Sequence, residues 1–255
     1  MRAVLVTGAA SGLGRHLALA YAQEGCRVYA VDRDRTKLKT LESEQIRPVP
    51  MDITQPEAWE EEALPRIEQG GGLDAVVACA AVMRLGSAES CSLEDWQFVN
   101  GVNLTAQFIT AKKTLKYLKA SRGSILFIGS PAARLAVRDE VCYVTFKHAL
   151  CGLSKSIAFD FGGEGVRSNV LHPGWMRTAM SDQEMQEIME RRNLSLDEAY
   201  EYVTRFVPLK RPGSLQEIAR AALFLTSEQA SYISGAELMA DGGLTVVDPG
   251  MIGFL

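Results

Sequence analysis

A chain of 255 residues can bury a full hydrophobic core without covalent staples, and 27 Lys plus Arg against 31 Asp plus Glu leave it mildly acidic. No basic stretch suits a phosphate backbone, so nucleic acid is not an expected partner; no run approaches the roughly 20 apolar residues of a membrane span. Cys26, Cys79, Cys91, Cys142 and Cys151 are odd in number and form no Cys-x-x-Cys pair, which argues against a disulfide framework or a metal site and fits a reducing cytoplasm. The apolar opening is interrupted by Gly8, Gly12 and Gly14 before a signal-like core develops, so a soluble protein is expected. No repeat or linker-like composition divides residues 1–255, and a single domain is expected.

Residues 3–7 read as a strand, Gly8-Ala9-Ala10-Ser11-Gly12-Leu13-Gly14 as a glycine turn, and the pattern through Leu17, Leu19, Ala20 and Ala22 as a helix. Glycines at this point let the backbone turn tightly and approach a pyrophosphate at the positive end of the helix; an ordinary strand-to-helix turn is the alternative. Residues 27–32 form a second strand ending in Asp32. A carboxylate about 20 residues past such glycines accepts hydrogen bonds from an adenosine ribose and repels a 2′-phosphate, which favours NAD over NADP. Arg33 and Arg35 just after it are candidates for holding that phosphate, and Asp32 is alternatively a turn or cap residue.

A helix over 34–44 leads to a third strand, 47–53, whose prolines suit a sheet edge. Asp52 and Ile53 at its carboxyl end are candidates to contact adenine; alternatively Asp52 starts a turn and Thr54 caps a helix over 56–69. Residues 73–81 are continuously apolar, as in a central parallel strand. A long helix over 92–118 carries Asn103 in its interior, with a polar residue on a wet face as the alternative.

The fifth strand, 123–130, ends in the hydroxyl of Ser130. Tyr143 and Lys147, four residues apart in a helical segment, share a face, and a protonated lysine there favours the phenolate; a surface helix with a solvated lysine is the bland reading. A sixth strand, 166–171, runs into His172-Pro173-Gly174-Trp175-Met176-Arg177-Thr178. An insert over 179–208 places Met185, Ile188 and Met189 at helical spacing, followed by a second helical piece, 196–207. A last helix, 214–227, and a last strand, 237–240, close the chain.

Together, Thr7-Gly8-x3-Gly12-x-Gly14, Asp32, Asn103, Ser130 and Tyr143-x3-Lys147 resemble the compact form of the short-chain dehydrogenase/reductase family. The similarity continues through Asn169, Pro173-Gly174 with Thr178, and Asp241-Gly242-Gly243, spanning essentially the whole chain. It implies an α/β fold: a single-domain, Rossmann-like, doubly wound parallel sheet of about seven strands with helices on both faces. It implies hydride transfer between a nicotinamide and a secondary alcohol or carbonyl. By the resemblance Tyr143 is the general acid/base, Ser130 holds the substrate oxygen, and Lys147 binds the nicotinamide ribose and keeps the tyrosine acidic. Asn103 supports a water through helix backbone. The cofactor wall then comprises Gly8, Ser11, Gly12, Leu13, Gly14, Asp32, Arg33, Asp52, Ile53 and Ala80, with Tyr143, Lys147, Pro173, Gly174, Met176 and Thr178.

The sequence departs from the family's common Asn-Asn-Ala-Gly at Ala78-Cys79-Ala80-Ala81, losing two amides and a glycine that approaches the cofactor ribose. Arg134, Arg138, His172 and Trp175 are candidate substrate contacts, the arginines being alternatively solvated loop charges and His172 a structural turn residue. The 179–208 insert is expected to be a substrate lid, and the tail 246–255 to dock on another subunit of a homotetramer or homodimer. The activity expected is an NAD-dependent dehydrogenase for a small hydroxylated substrate, a sugar or polyol. The rivals are an NADPH-dependent carbonyl reductase and a non-catalytic nicotinamide-binding regulator, the latter disfavoured by an intact Ser130, Tyr143 and Lys147.

Overall fold

Along the first strand, β1 (Ala3–Thr7), side chains part to opposite faces: Val4 and Val6 enter one core, Ala3 and Leu5 another. The same alternation repeats in β2 (Arg27–Asp32), β4 (Ala75–Ala78) and β5 (Ser124–Ile128). With β3 (Ile46–Pro50), β6 (Arg167–Pro173) and β7 (Glu237–Ala240) they build one parallel sheet in the order β3-β2-β1-β4-β5-β6-β7. A parallel sheet must be covered on both faces, which explains the apolar strands. The computed structural model describes residues 1–250; the tail contact expected for 246–255 falls largely outside the described residues.

One face carries α1 (Gly12–Gln23), α2 (Arg35–Lys39) and α8 (Leu215–Thr226), through Leu17, Tyr21, Leu38, Ile218 and Ala222. The buried Tyr21 hydroxyl meets Thr226 Oγ1 at 2.8 Å and ties α1 to α8. The other face carries α3 (56–69), α4 (93–121) and α5 (Val141–Phe161), through Trp59, Ile67, Ala106, Leu118, Leu150 and Ile157. A third, small core of Met185, Ala199 and Tyr200 joins α6 (Ala179–Arg192) to α7 (Leu196–Thr204). Strand order reverses between β1 and β4, opening a crevice at their carboxyl ends where doubly wound folds take ligands.

Several element ends differ from the sequence expectation, each for a local polar reason. α2 stops at Lys39, where Thr40 Oγ1 donates to the Lys37 carbonyl at 2.7 Å, and Ser43 Oγ then accepts from the Ile46 amide. β3 ends at Pro50, and Asp52 turns the chain by accepting from the amide and hydroxyl of Thr54 at 2.9 and 2.8 Å. β4 spans four residues rather than 73–81 because side chains capture the backbone beyond Ala78: Thr7 Oγ1 accepts from the amides of Cys79 and Ala80 at 3.0 and 3.1 Å. α5 begins at Val141, two residues before Tyr143, and α7 ends at Thr204 rather than 207.

Candidate active site

A cleft of about 890 Å³ runs from Asp32 at the end of β2, over the glycine turn and residues 79–83, to Ser130 and Tyr143. Residues 173–184 wall its far side. All sixteen residues expected on the cofactor wall line it. Gly8 has φ +70°, and a Cβ there would sit 2.9 Å from Ala80 Cα; a Cβ at Gly14 would overlap the Gly8 carbonyl. Ser11 leaves the first turn of α1 without a side-chain cap, and no acidic residue occupies that turn. Its leading amides therefore face the cleft without a competing side chain, as a bound pyrophosphate requires. Asp32 braces the turn: Oδ2 accepts from the Ala10 amide and Oδ1 from the Asp34 amide, both at 3.0 Å. Arg33 and Lys37 line the same end of the cleft.

The segment that departs from the family pattern is held from elsewhere. Gln107 Nε2 donates to the Ala80 carbonyl at 2.7 Å, and Asn103 exchanges two 2.8 Å hydrogen bonds with the backbone of Val82. Asn103 is buried in a π-helical turn, residues 101–105 of α4, and its side chain does not line the cleft. The wet-face alternative does not describe it.

Ser130 follows β5 in extended backbone, its hydroxyl accepts from the Ala132 amide at 3.2 Å, and it shares the cleft with the phenol of Tyr143. Burial drives that phenol above its ordinary range, with the Ser130 hydroxyl pulling the other way. The charges of Glu184 and Glu140 reinforce the rise. Lys147 is buried, donates to the Ile128 carbonyl at 2.7 Å, and lies 5.3 Å from the centre of the Tyr143 ring. Its burial lowers it to about 8. In the protein alone, burial dominates both groups, raising the phenol and lowering the ammonium.

The candidate substrate residues separate. Trp175 lines the cleft, whereas Arg134, Arg138 and His172 do not. Arg134 pairs with Glu237 at 2.9 Å, beside Lys155 at 2.7 Å. Arg138 is almost fully exposed and faces Asp139. His172 is fully buried, with Nδ1 against the backbone of Ser130, so it supports the serine from behind. Two residues that sequence reasoning passed over, Glu140 and Glu184, line the cleft near Tyr143. Their only sequence signal was position: one lies three residues before the tyrosine, the other six beyond Thr178 on the insert.

A doubly wound sheet with a glycine turn at its switch point, and a serine, tyrosine and lysine converging on the same crevice, defines the class of dinucleotide-dependent α/β oxidoreductases. The comparisons sharpen that class. A family model described as Enoyl-(Acyl carrier protein) reductase matches residues 8–245. The protein MoaE of Klebsiella aerogenes is 50% identical over 153 residues, a match covering 60% of this chain and 59% of that protein; in this pairing the chain spans under two thirds of its relative. D-threitol dehydrogenase of Mycolicibacterium smegmatis is 32% identical over 252 residues, covering 96% of this chain and 93% of that one. Among solved structures, ligand-free aldohexose dehydrogenase of Thermoplasma acidophilum matches with a TM-score of 0.90 at 30% identity, over 97% of this chain and 95% of the other. The chain belongs to the short-chain dehydrogenase/reductase family, whose members use a nicotinamide cofactor.

Proposed function

We propose that the chain is an NAD-dependent dehydrogenase moving a hydride between the carbinol carbon of a small hydroxylated substrate, a sugar or polyol, and NAD. The observation that carries this is the convergence of Ser130, Tyr143 and Lys147 on the cleft that also holds the glycine turn. The cradle fits the dinucleotide, since Cβ atoms at Gly8 and Gly14 would fill the space where backbone must close up, and the α1 amides are uncapped. When bound, the nicotinamide supplies the hydride acceptor or donor.

The chain's own groups supply the rest. Tyr143 takes the substrate hydroxyl proton in oxidation and returns it in reduction; Ser130 donates to the same oxygen and fixes its place. Lys147 is positioned for the ribose hydroxyls. Asn103 acts through the backbone of α4, holding the π-helical turn beside residues 80–82. Asp32 favours NAD by accepting from the adenosine ribose. Arg33 and Lys37 at the same end support the second reading, an NADPH-dependent carbonyl reductase. The α6–α7 pair, with a core of its own, serves as a lid over the substrate end. A sugar or polyol is supported by the D-threitol and aldohexose dehydrogenases among the relatives.

Assembly as a homodimer or homotetramer is part of the proposal, supported by exposed Phe108 on α4 and Phe159 on α5, and light scattering tests it. A reducing cytoplasm accords with five free cysteines. The decisive assay screens polyols, sugars and simple secondary alcohols for reduction of NAD and of NADP. Turnover with NAD and a polyol supports the reading, and no nicotinamide reduction with any of them contradicts it.

A further inference from the structure

We propose that Glu140 and Glu184 form a recognition site for the non-reacting hydroxyl groups of a neutral polyol, and that the same pair turns anionic substrates away. The inference deepens the dehydrogenase reading and rests on it.

Both side chains line the cleft that contains Tyr143, approaching from different elements: Glu140 precedes α5, and Glu184 lies in the second turn of α6. Each carboxyl acts electrostatically on the Tyr143 phenol, and Glu140 acts on Glu184, so the two converge on the reacting end. Glu140 is only 8% exposed, and Glu184 is half-buried. Among the described residues, neither carboxyl has a hydrogen bond or an ion pair to offset its burial, and desolvation is the leading influence on both. Leu135 and Val137, just before Glu140 in the chain, and Met180, one turn before Glu184, line the same cleft.

Cutting back the hydration of two carboxyls that have no protein partner is costly, and a ligand in the cleft that supplies donors offsets that cost. Among the described residues the cations lining the cleft are Arg33 and Lys37 at the adenosine end and Lys147, which is engaged with Ile128. Among the described residues, no cation at the substrate end is free to neutralise a carboxylate or phosphate substrate. Burial raises both glutamates to about 7, so near neutrality each is partly protonated. Such a pair both donates and accepts, which suits hydroxyl groups; a cationic amino alcohol would instead call for two ionised carboxylates.

The test measures kcat/KM with NAD for erythritol or threitol, cyclohexanol, 3-hydroxybutyrate and 1-amino-2-propanol. The parent chain is compared with Glu140→Ala, Glu184→Ala and the double Glu140→Gln/Glu184→Gln, and melting curves establish that each variant is folded. Loss of a hydrogen bond to a charged group predicts that each alanine variant lowers the tetritol-to-cyclohexanol ratio of kcat/KM by about tenfold, through KM for the tetritol. The double glutamine variant raises the ratio for 3-hydroxybutyrate over cyclohexanol. Unchanged ratios in folded variants overturn the recognition site while leaving the dehydrogenase reading intact. A parent preference for 1-amino-2-propanol, lost in the variants, overturns the polyol assignment in favour of a cation. No turnover of any alcohol by the parent overturns both proposals.

Discussion

His172 grips Ser130 by its backbone: the imidazole Nδ1 lies 2.8 Å from the serine carbonyl oxygen and 3.1 Å from its amide nitrogen. Gly129 makes this approach possible, because a Cβ there would collide with the ring. Burial lowers the histidine's proton affinity, which keeps it a neutral support. His172→Ala is expected to reduce kcat by about tenfold to a hundredfold by letting the Ser130 hydroxyl drift, with KM for NAD changing far less. Steady-state kinetics with each reactant varied in turn checks that split.

The glycine turn makes a prediction about stability with a built-in control. Gly14→Ala forces its Cβ into the Gly8 carbonyl and should cost about 1–3 kcal/mol, as overpacking does. Gly152, in the middle of α5, has open space at its Cβ position, and Gly152→Ala should gain about 0.5–1 kcal/mol. Denaturant melts of both variants should therefore shift in opposite directions.

Asp32 has two duties, bracing the turn through Ala10 and presenting a carboxylate at the adenosine end. Asp32→Ala is expected to raise the ratio of NADP to NAD efficiency by about tenfold or more, since Arg33 and Lys37 remain to meet a 2′-phosphate. Kinetics with the two cofactors at matched substrate measures it, and an unchanged ratio places the discrimination outside Asp32.

The pH dependence of stability follows from the two cleft glutamates. Their folded values, about 7, lie above the ordinary carboxyl value, so between roughly pH 4.5 and 7 the folded chain binds more protons than the unfolded one. These groups therefore cost nothing at low pH, where they are protonated in both states, and they destabilise the fold increasingly as pH rises through that window. The Glu140→Gln/Glu184→Gln variant should gain stability over the parent at pH 8 relative to pH 4.5. Paired urea titrations at the two pH values give the sign directly.

Much of this architecture is visible in the sequence because parallel strands buried on both faces must be apolar and their turns must carry glycine. Ala3 to Thr7 and the turn after it are read without ambiguity for that reason. The proline-bearing strand also lies at the edge, as its missing donors require. What escapes is decided by partners distant in the chain. β4 is cut short by the hydroxyl of Thr7, seventy-two residues before Cys79, and the chain beyond it is held by amides from α4. Arg134 is drawn out of contention by Glu237 on the far edge strand. Glu140 and Glu184 look like ordinary surface charges until the fold brings both to one cleft, where burial cuts back their hydration.

The central claim is that the Tyr143 phenol exchanges the substrate proton, and Tyr143→Phe, assayed for turnover beside a direct NAD titration, tests it most directly. The expected result is a loss of activity of about a hundredfold or more with NAD affinity essentially retained. Turnover close to that of the parent chain would contradict the account.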